Sequence, residues 1–174
     1  MTQERAGVVT FKSNPLTLIG PALTVGQKAP EFTVLANDLS PVTLACGAGK
    51  TRLIVSVPSL DTPVCDVEAR RFNEEASKLN NVEVLVVSMD LPFAQGRWCG
   101  ATGATNVKTV SDHRDASFGT QYGVLVKELR LDARAIFVVD ASGTLVYQEI
   151  VSEMTQEPNY EAALNACRQP AGVA

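Results

Sequence analysis

Residues 51–88 confine the chain to few folds. An apolar strand-like run over 51–57 contains Leu53-Ile-Val-Ser-Val57, a helical pattern follows at about 63–79, and a second apolar strand occupies 82–88. Strand, helix and strand at these lengths read as a βαβ unit, two parallel strands joined by a crossover helix. Both strands are nearly continuously apolar rather than alternating, so burial on both faces is expected, with helices covering the sheet.

The flanking segments add antiparallel strands. Val8-Val9-Thr10-Phe11-Lys12 and Leu16-Thr17-Leu18-Ile19 surround Ser13-Asn14-Pro15 and read as an N-terminal β-hairpin. Phe32-Thr33-Val34-Leu35 and Val42-Thr43-Leu44 read as short strands around a polar turn. A short helix is expected from Pro92 to Cys99, ended by Gly100 and Gly103, then a strand at 107–111 and a helix near 115–121. Ala135-Ile-Phe-Val-Val139 and Thr144-Leu-Val-Tyr-Gln-Glu-Ile150 flank the turn Asp140-Ala-Ser-Gly143, and a last helix is expected near Asn159–Arg168. The pattern predicts an α/β domain of thioredoxin-like architecture, with a central mixed sheet and flanking helices. At 174 residues the chain suits a single domain, 1–174.

A net charge of -4 with no long basic run argues against nucleic acid or an anionic membrane as partner. The longest apolar runs are strand-sized, too short to span a bilayer. Met1-Thr-Gln-Glu-Arg5 lacks the layout of an export signal, so the cytoplasm, which keeps thiols reduced, is the expected compartment. There the four cysteines, at 46, 65, 99 and 167, point to catalytic, redox or merely buried thiols rather than a disulfide scaffold. None forms C-x-x-C and the only histidine is His113, so neither a metal nor another cofactor is expected.

Cys65 is placed to react. Thr62 reads as the N-cap of the 63–79 helix with Pro63 at its first position, which puts Cys65 in the first turn. Unpaired amides there favour an anion, hence a thiolate, and the Thr62 hydroxyl is placed to accept from the Cys65 amide. A plainer reading stands beside this one. Cys65, Ala69, Phe72, Ala76 and Leu79 form one apolar helix face, on which Cys65 is a small core residue. The strand-to-helix crevice, where open α/β sheets bind ligands, favours function.

Pro58-Ser-Leu-Asp-Thr-Pro-Val-Cys65 resembles the peroxidatic motif of peroxiredoxins, P-x-x-x-T-x-x-C. Asp90-Leu-Pro-Phe-Ala-Gln95, Trp98-Cys99-Gly100, Ala133-Arg134-Ala135 and Glu157-Pro-Asn-Tyr-Glu-Ala-Ala163 are similar to the bacterial thiol peroxidase branch, so the resemblance covers nearly the whole chain. It implies a peroxiredoxin fold and a thiol-dependent peroxidase in which Cys65 is peroxidatic and Cys99 resolving, with Pro58, Thr62 and Arg134 completing the peroxide pocket. It further implies hydroperoxide substrates, a disulfide within one subunit, thioredoxin as reductant and a homodimer. The sequence departs at Pro63, where relatives commonly carry Gly, and in the stretch Lys127-Glu-Leu-Arg-Leu-Asp132, shorter than in some relatives, which bears on pocket shape. Cys46 and Cys167 match no catalytic motif.

Lowering a cysteine pKa from about 8.5 to about 6 raises its thiolate fraction at pH 7.4 only about fourteenfold. Peroxidase chemistry therefore also needs donors aimed at the peroxide oxygens, and the helix-start amides, Thr62 and Arg134 are the candidates. Without the resemblance, Arg134 reads as a surface charge, Trp98-Cys99 as an apolar plug and His113 as part of a solvated loop. A redox sensor or relay using the same cysteines, and a thioredoxin-like binding module with inert thiols, remain as alternatives.

Overall fold

The computed structural model describes residues 2–169. Its first half comprises β1 (Glu4–Phe11), β2 (Asn14–Ile19), β3 (Thr33–Leu35), β4 (Pro41–Thr43), a 3-10 turn (Leu44–Gly47), β5 (Thr51–Ser56), α1 (Pro63–Ala76) and β6 (Val82–Ser88). Then come α2 (Pro92–Thr102), β7 (Lys108–Ser111), α3 (Ser117–Gln121), β8 (Leu125–Val126), β9 (Leu131–Asp132), β10 (Ala135–Val139), β11 (Leu145–Ile150) and α4 (Tyr160–Arg168).

The expected βαβ unit is the centre of a seven-stranded mixed sheet ordered β11-β10-β5-β6-β7-β3-β4. β5, β6 and β7 run parallel, and β10, β11, β3 and β4 join antiparallel. Side chains of the central strands alternate between two apolar cores. Ile54, Leu85, Val87, Val110 and Phe137 share one with the N-terminal hairpin and α3. Leu53, Val55, Val84, Val86, Ile136 and Val138 share the other with α1, α2 and α4. Burial on both faces is the reason these strands are apolar at consecutive positions.

Element boundaries differ from expectation for local reasons. α1 stops at Ala76 because the Lys78 and Leu79 amides bond the carbonyls three residues back, those of Glu75 and Ala76, and Asn81 turns left-handed at φ 55°. α2 continues past Gly100 to Thr102 and is closed by Gly103, whose φ of 67° lets its amide reach the Cys99 carbonyl. The expected N-terminal hairpin forms, but it belongs to a second sheet, β1-β2-β8-β9, whose last two strands the sequence pattern did not suggest. Two residues per strand are too few to show a period of two. No helix among the described residues is long and apolar enough to cross a membrane.

Candidate active site

β5, a central strand, ends at Ser56, and Val57 and Pro58 remain buried as the chain turns toward α1. Asp90, just beyond the neighbouring strand β6, pins this turn. Its carboxylate accepts from Ser59 Oγ at 2.6 Å, the Leu60 amide at 2.8 Å and Ser88 Oγ at 2.7 Å. The parallel pairing of β5 and β6 brings residues about 30 apart in sequence to one end of the sheet, so Asp90 acts on the Pro58 loop across the strand boundary.

Thr62 is the N-cap residue, with extended backbone and Pro63 following, but its hydroxyl does not accept from the Cys65 amide. It donates instead to the Ser59 carbonyl at 2.9 Å. A hydroxyl committed to the preceding turn fixes the loop rather than the helix start, which corrects the expected cap bond. Cys65 itself is fully buried. Cys65 packs with Ala69 and Phe72 on an apolar face, as the plainer reading expects, and it also meets a cation.

That cation is Arg134. Antiparallel pairing of β10 with β5 sets Ala135 opposite Ser56, so Arg134 stands just outside β10 at the end of the sheet from which α1 departs. Its Nη2 donates to Cys65 Sγ at 3.2 Å and to the Met154 carbonyl at 2.9 Å, and its Nε donates to the same carbonyl at 3.1 Å. Nη1 pairs with Glu68 Oε2. Arg134 is 2% exposed and Glu68 fully buried, so this is an internal ion pair and not a surface one. The reading of Arg134 as a surface charge is excluded by that burial.

Glu68 was not singled out from the sequence. It lies one turn beyond Cys65, and the i, i+3 spacing of a carboxylate behind a candidate thiol was the available signal. Burial pushes its carboxyl up to about 7 despite the opposing pull of Arg134, and its Oε1 has no hydrogen-bond partner among the described residues. Burial also acts to lower the Arg134 guanidinium, but Glu68 and Cys65 outweigh it and hold that group above its ordinary value. For Glu68 burial outweighs the attraction, and for Arg134 the attraction outweighs burial, while each partner favours the other's charged form.

Cys99 lies on α2, and its polar contact is Thr109 Oγ1 at 3.3 Å rather than Cys65. The helix that carries it is tied to α1 by Trp98 Nε1 donating to Asp66 Oδ1 at 2.7 Å. Cys65, Cys99, Cys46 and Cys167 are all free thiols. Cys46 is exposed on the 3-10 turn, where hydrogen bonds from Thr43 hold its thiol below the usual range. Cys167 is buried on α4, and burial pushes it up to about 12. His113 sits in the turn after β7 and takes no part in the Cys65 cluster. Among the described residues no group of three or more His, Cys, Asp or Glu is arranged to hold a metal ion.

A buried thiol bonded to an arginine that cannot deprotonate, at a helix start, is an arrangement for nucleophilic sulfur chemistry on a substrate whose leaving atom gains negative charge. Residues 24–164 match the Redoxin family. The chain is 60% identical over 160 residues to the thiol peroxidase of Halalkalibacterium halodurans, covering 92% of this chain and 96% of that protein. It is 55% identical over 160 residues to the thiol peroxidase of Bacillus subtilis, with 92% and 96% covered. Among solved structures, a peroxiredoxin-like protein from Aquifex aeolicus superimposes with a TM-score of 0.88 at 42% identity, covering 96% of this chain and 97% of that one.

Proposed function

The chain belongs to the Redoxin family, in its bacterial thiol peroxidase branch, and performs thiol-dependent peroxide reduction; on that footing we propose that Cys65 is the attacking thiol, Arg134 its electrophilic partner and Cys99 the resolving thiol. The observation that carries this assignment is the 3.2 Å contact between Arg134 Nη2 and Cys65 Sγ inside a buried ion pair. Cys65 attacks as thiolate on one oxygen of a hydroperoxide. The O–O bond breaks, the oxygen attacked stays on sulfur as the sulfenic acid, and the other leaves as water or an alcohol after taking a proton.

Arg134 supports this step because its charge does not vary and its donors are held in place by Met154 and Glu68. Pro58 and Thr62 shape the approach, with Thr62 holding the loop through Ser59. The Cys99 thiol then attacks the Cys65 sulfur, forming an intrasubunit disulfide and expelling water. Thioredoxin supplies the two electrons that restore both thiols. The substrates are hydrogen peroxide and alkyl hydroperoxides, the working form is a homodimer, and the reducing cytoplasm is the setting.

Stopped-flow measurement of peroxide reduction tests the site. Arg134→Ala is expected to slow Cys65 oxidation about 10²- to 10³-fold, the usual cost of losing one preorganised donor. Rates close to wild type would remove Arg134 from the mechanism. Peptide mapping after one equivalent of peroxide is expected to find Cys65 joined to Cys99, and pairing with Cys46 or Cys167 would remove Cys99.

A further inference from the structure

Resolution by Cys99 requires that Cys99 leave its present contacts, and those contacts are specific. Thr109 on β7, which is 2% exposed, donates its hydroxyl proton to Asn37 Oδ1 at 3.0 Å. Its oxygen is thereby left to accept, so at 3.3 Å from Cys99 Sγ it receives the thiol proton. The chain of donors runs one way, from Cys99 S–H to Thr109 and from Thr109 to Asn37. Asn37, between β3 and β4, also packs beneath the helix: a Cβ built on Gly96 would lie 3.8 Å from the Asn37 side chain. The other ties on α2 hold neighbouring residues. Gln95 Nε2 donates to Ser88 Oγ at 3.0 Å and to the Val110 carbonyl at 2.8 Å, and Trp98 Nε1 donates to Asp66. Among the described residues, Thr109 makes the polar contact to the reacting sulfur itself, which otherwise packs against the apolar core.

We propose that Thr109, oriented by Asn37, is a positioning residue that latches the Cys99 thiol in its docked place and so sets how fast the Cys65 sulfenic acid is resolved. This rests on the assignment of Cys99 as the resolving thiol. The step concerned is Cys65–SOH plus Cys99–SH giving the disulfide and water, with the S–O bond broken as the S–S bond forms. α2 has little intrinsic stability to oppose its release. It carries Gly96 and Gly100 in its interior, and a Cβ on Gly100 would touch nothing. The latch therefore contributes a meaningful share of the docked state. While Cys99 is held, a second peroxide molecule competes for the sulfenic acid and carries Cys65 on to the sulfinic acid, so the latch also sets sensitivity to excess peroxide.

The test uses Thr109→Val, which keeps shape and removes the acceptor, with Thr109→Ser as the conservative rescue. Trp98, the only tryptophan and the neighbour of Cys99, reports both steps by fluorescence: a fast phase that scales with peroxide, then a slow phase that does not. Loss of one neutral hydrogen bond from the docked state is expected to accelerate the slow phase of Thr109→Val about two- to tenfold. The peroxide concentration giving half sulfinic acid by mass spectrometry should rise by the same factor, and Thr109→Ser should restore the wild-type slow phase. Asn37→Ala, on the surface side of the chain of bonds, should shift both readouts the same way by less. An unchanged or slower slow phase in Thr109→Val, or both phases changing in equal proportion, overturns the latch. Absence of a Cys65–Cys99 disulfide in wild-type protein overturns it differently, by removing the assignment beneath it.

Discussion

Asp132 is a buried carboxyl without a hydrogen-bonded or ion-paired partner among the described residues, and replacing it with Asn should stabilise the protein more at pH 7 than at pH 5. Asp132 is fully buried in β9, and neither side-chain oxygen has a hydrogen-bond partner among the described residues. Asp112, after β7, is its neighbour across α3. A Cβ built on Gly119 would lie 2.3 Å from Asp132 Oδ1 and 3.3 Å from Asp112 Oδ2, so both carboxyls crowd one point. Asp112 accepts from the Phe118 amide at 3.0 Å and the Gly119 amide at 2.8 Å, which favours its ionised form. Asp132 has no such donors, and burial reinforced by Asp112 holds it well above the usual carboxyl range against the weaker pull of Arg130. Burial also pushes Asp112 up to about 6. Of the two, Asp132 keeps the proton.

The linkage sign follows. An unfolded aspartate ionises near pH 3.9, whereas the folded Asp132 stays protonated, so the native state binds more protons than the unfolded state above that pH. Stability contributed by the protonated pair is whole below pH 3.9 and is lost as pH rises toward the folded value. Each pH unit over which folded Asp132 keeps its proton while an unfolded aspartate is ionised removes about 1.4 kcal/mol. Asn is isosteric with the protonated acid and does not titrate. Urea unfolding of the reduced proteins at pH 5, 6 and 7 should therefore give curves that diverge, with Asp132→Asn gaining on wild type as pH rises, at a slope approaching about 1.4 kcal/mol per pH unit. Parallel pH dependences would show that folded Asp132 ionises like an unfolded one and would refute the reasoning.

Other consequences are checked more simply. Glu68→Ala leaves the Arg134 guanidinium buried without its partner, and urea unfolding at pH 7.5 should show a loss of about 3–5 kcal/mol; a loss below about 1 kcal/mol would mean the pair is solvated. Iodoacetamide added to native protein at pH 7 should label exposed Cys46 and leave Cys167 untouched, since burial pushes the latter up to about 12, and mass mapping that finds Cys167 labelled first contradicts the packing of α4. Gly123→Ala should destabilise by about 2 kcal/mol or more in the same urea assay, because its φ is +68° and a Cβ would meet the Pro21 carbonyl oxygen at 2.0 Å. Wild-type stability there would show that the loop carrying Pro21 yields freely.

What the sequence discloses and what it hides divide along a physical line. The strands β5 and β6 are legible because burial on two faces writes itself into consecutive apolar residues, and Thr62-Pro63 marks the start of α1 because a helix end has local requirements. Arg134, Glu68 and Asp90 have no comparable local mark. A buried charge looks the same as an exposed one in sequence, and what distinguishes it is its partner, here 66 residues away for Glu68 and Arg134. Family resemblance pointed to Arg134, but its purchase on Cys65 comes from the register that sets Ala135 against Ser56. Thr62 shows the converse error: the cap position was correct, yet its hydroxyl is spent on Ser59, a choice between two nearby acceptor and donor groups that spacing cannot decide. The Cys65 site is therefore local in its backbone and nonlocal in its electrostatics. If the chemistry depends on the second part, substitutions at Arg134 or Glu68 must change the rate at Cys65 while the motif from Pro58 to Cys65 stays intact.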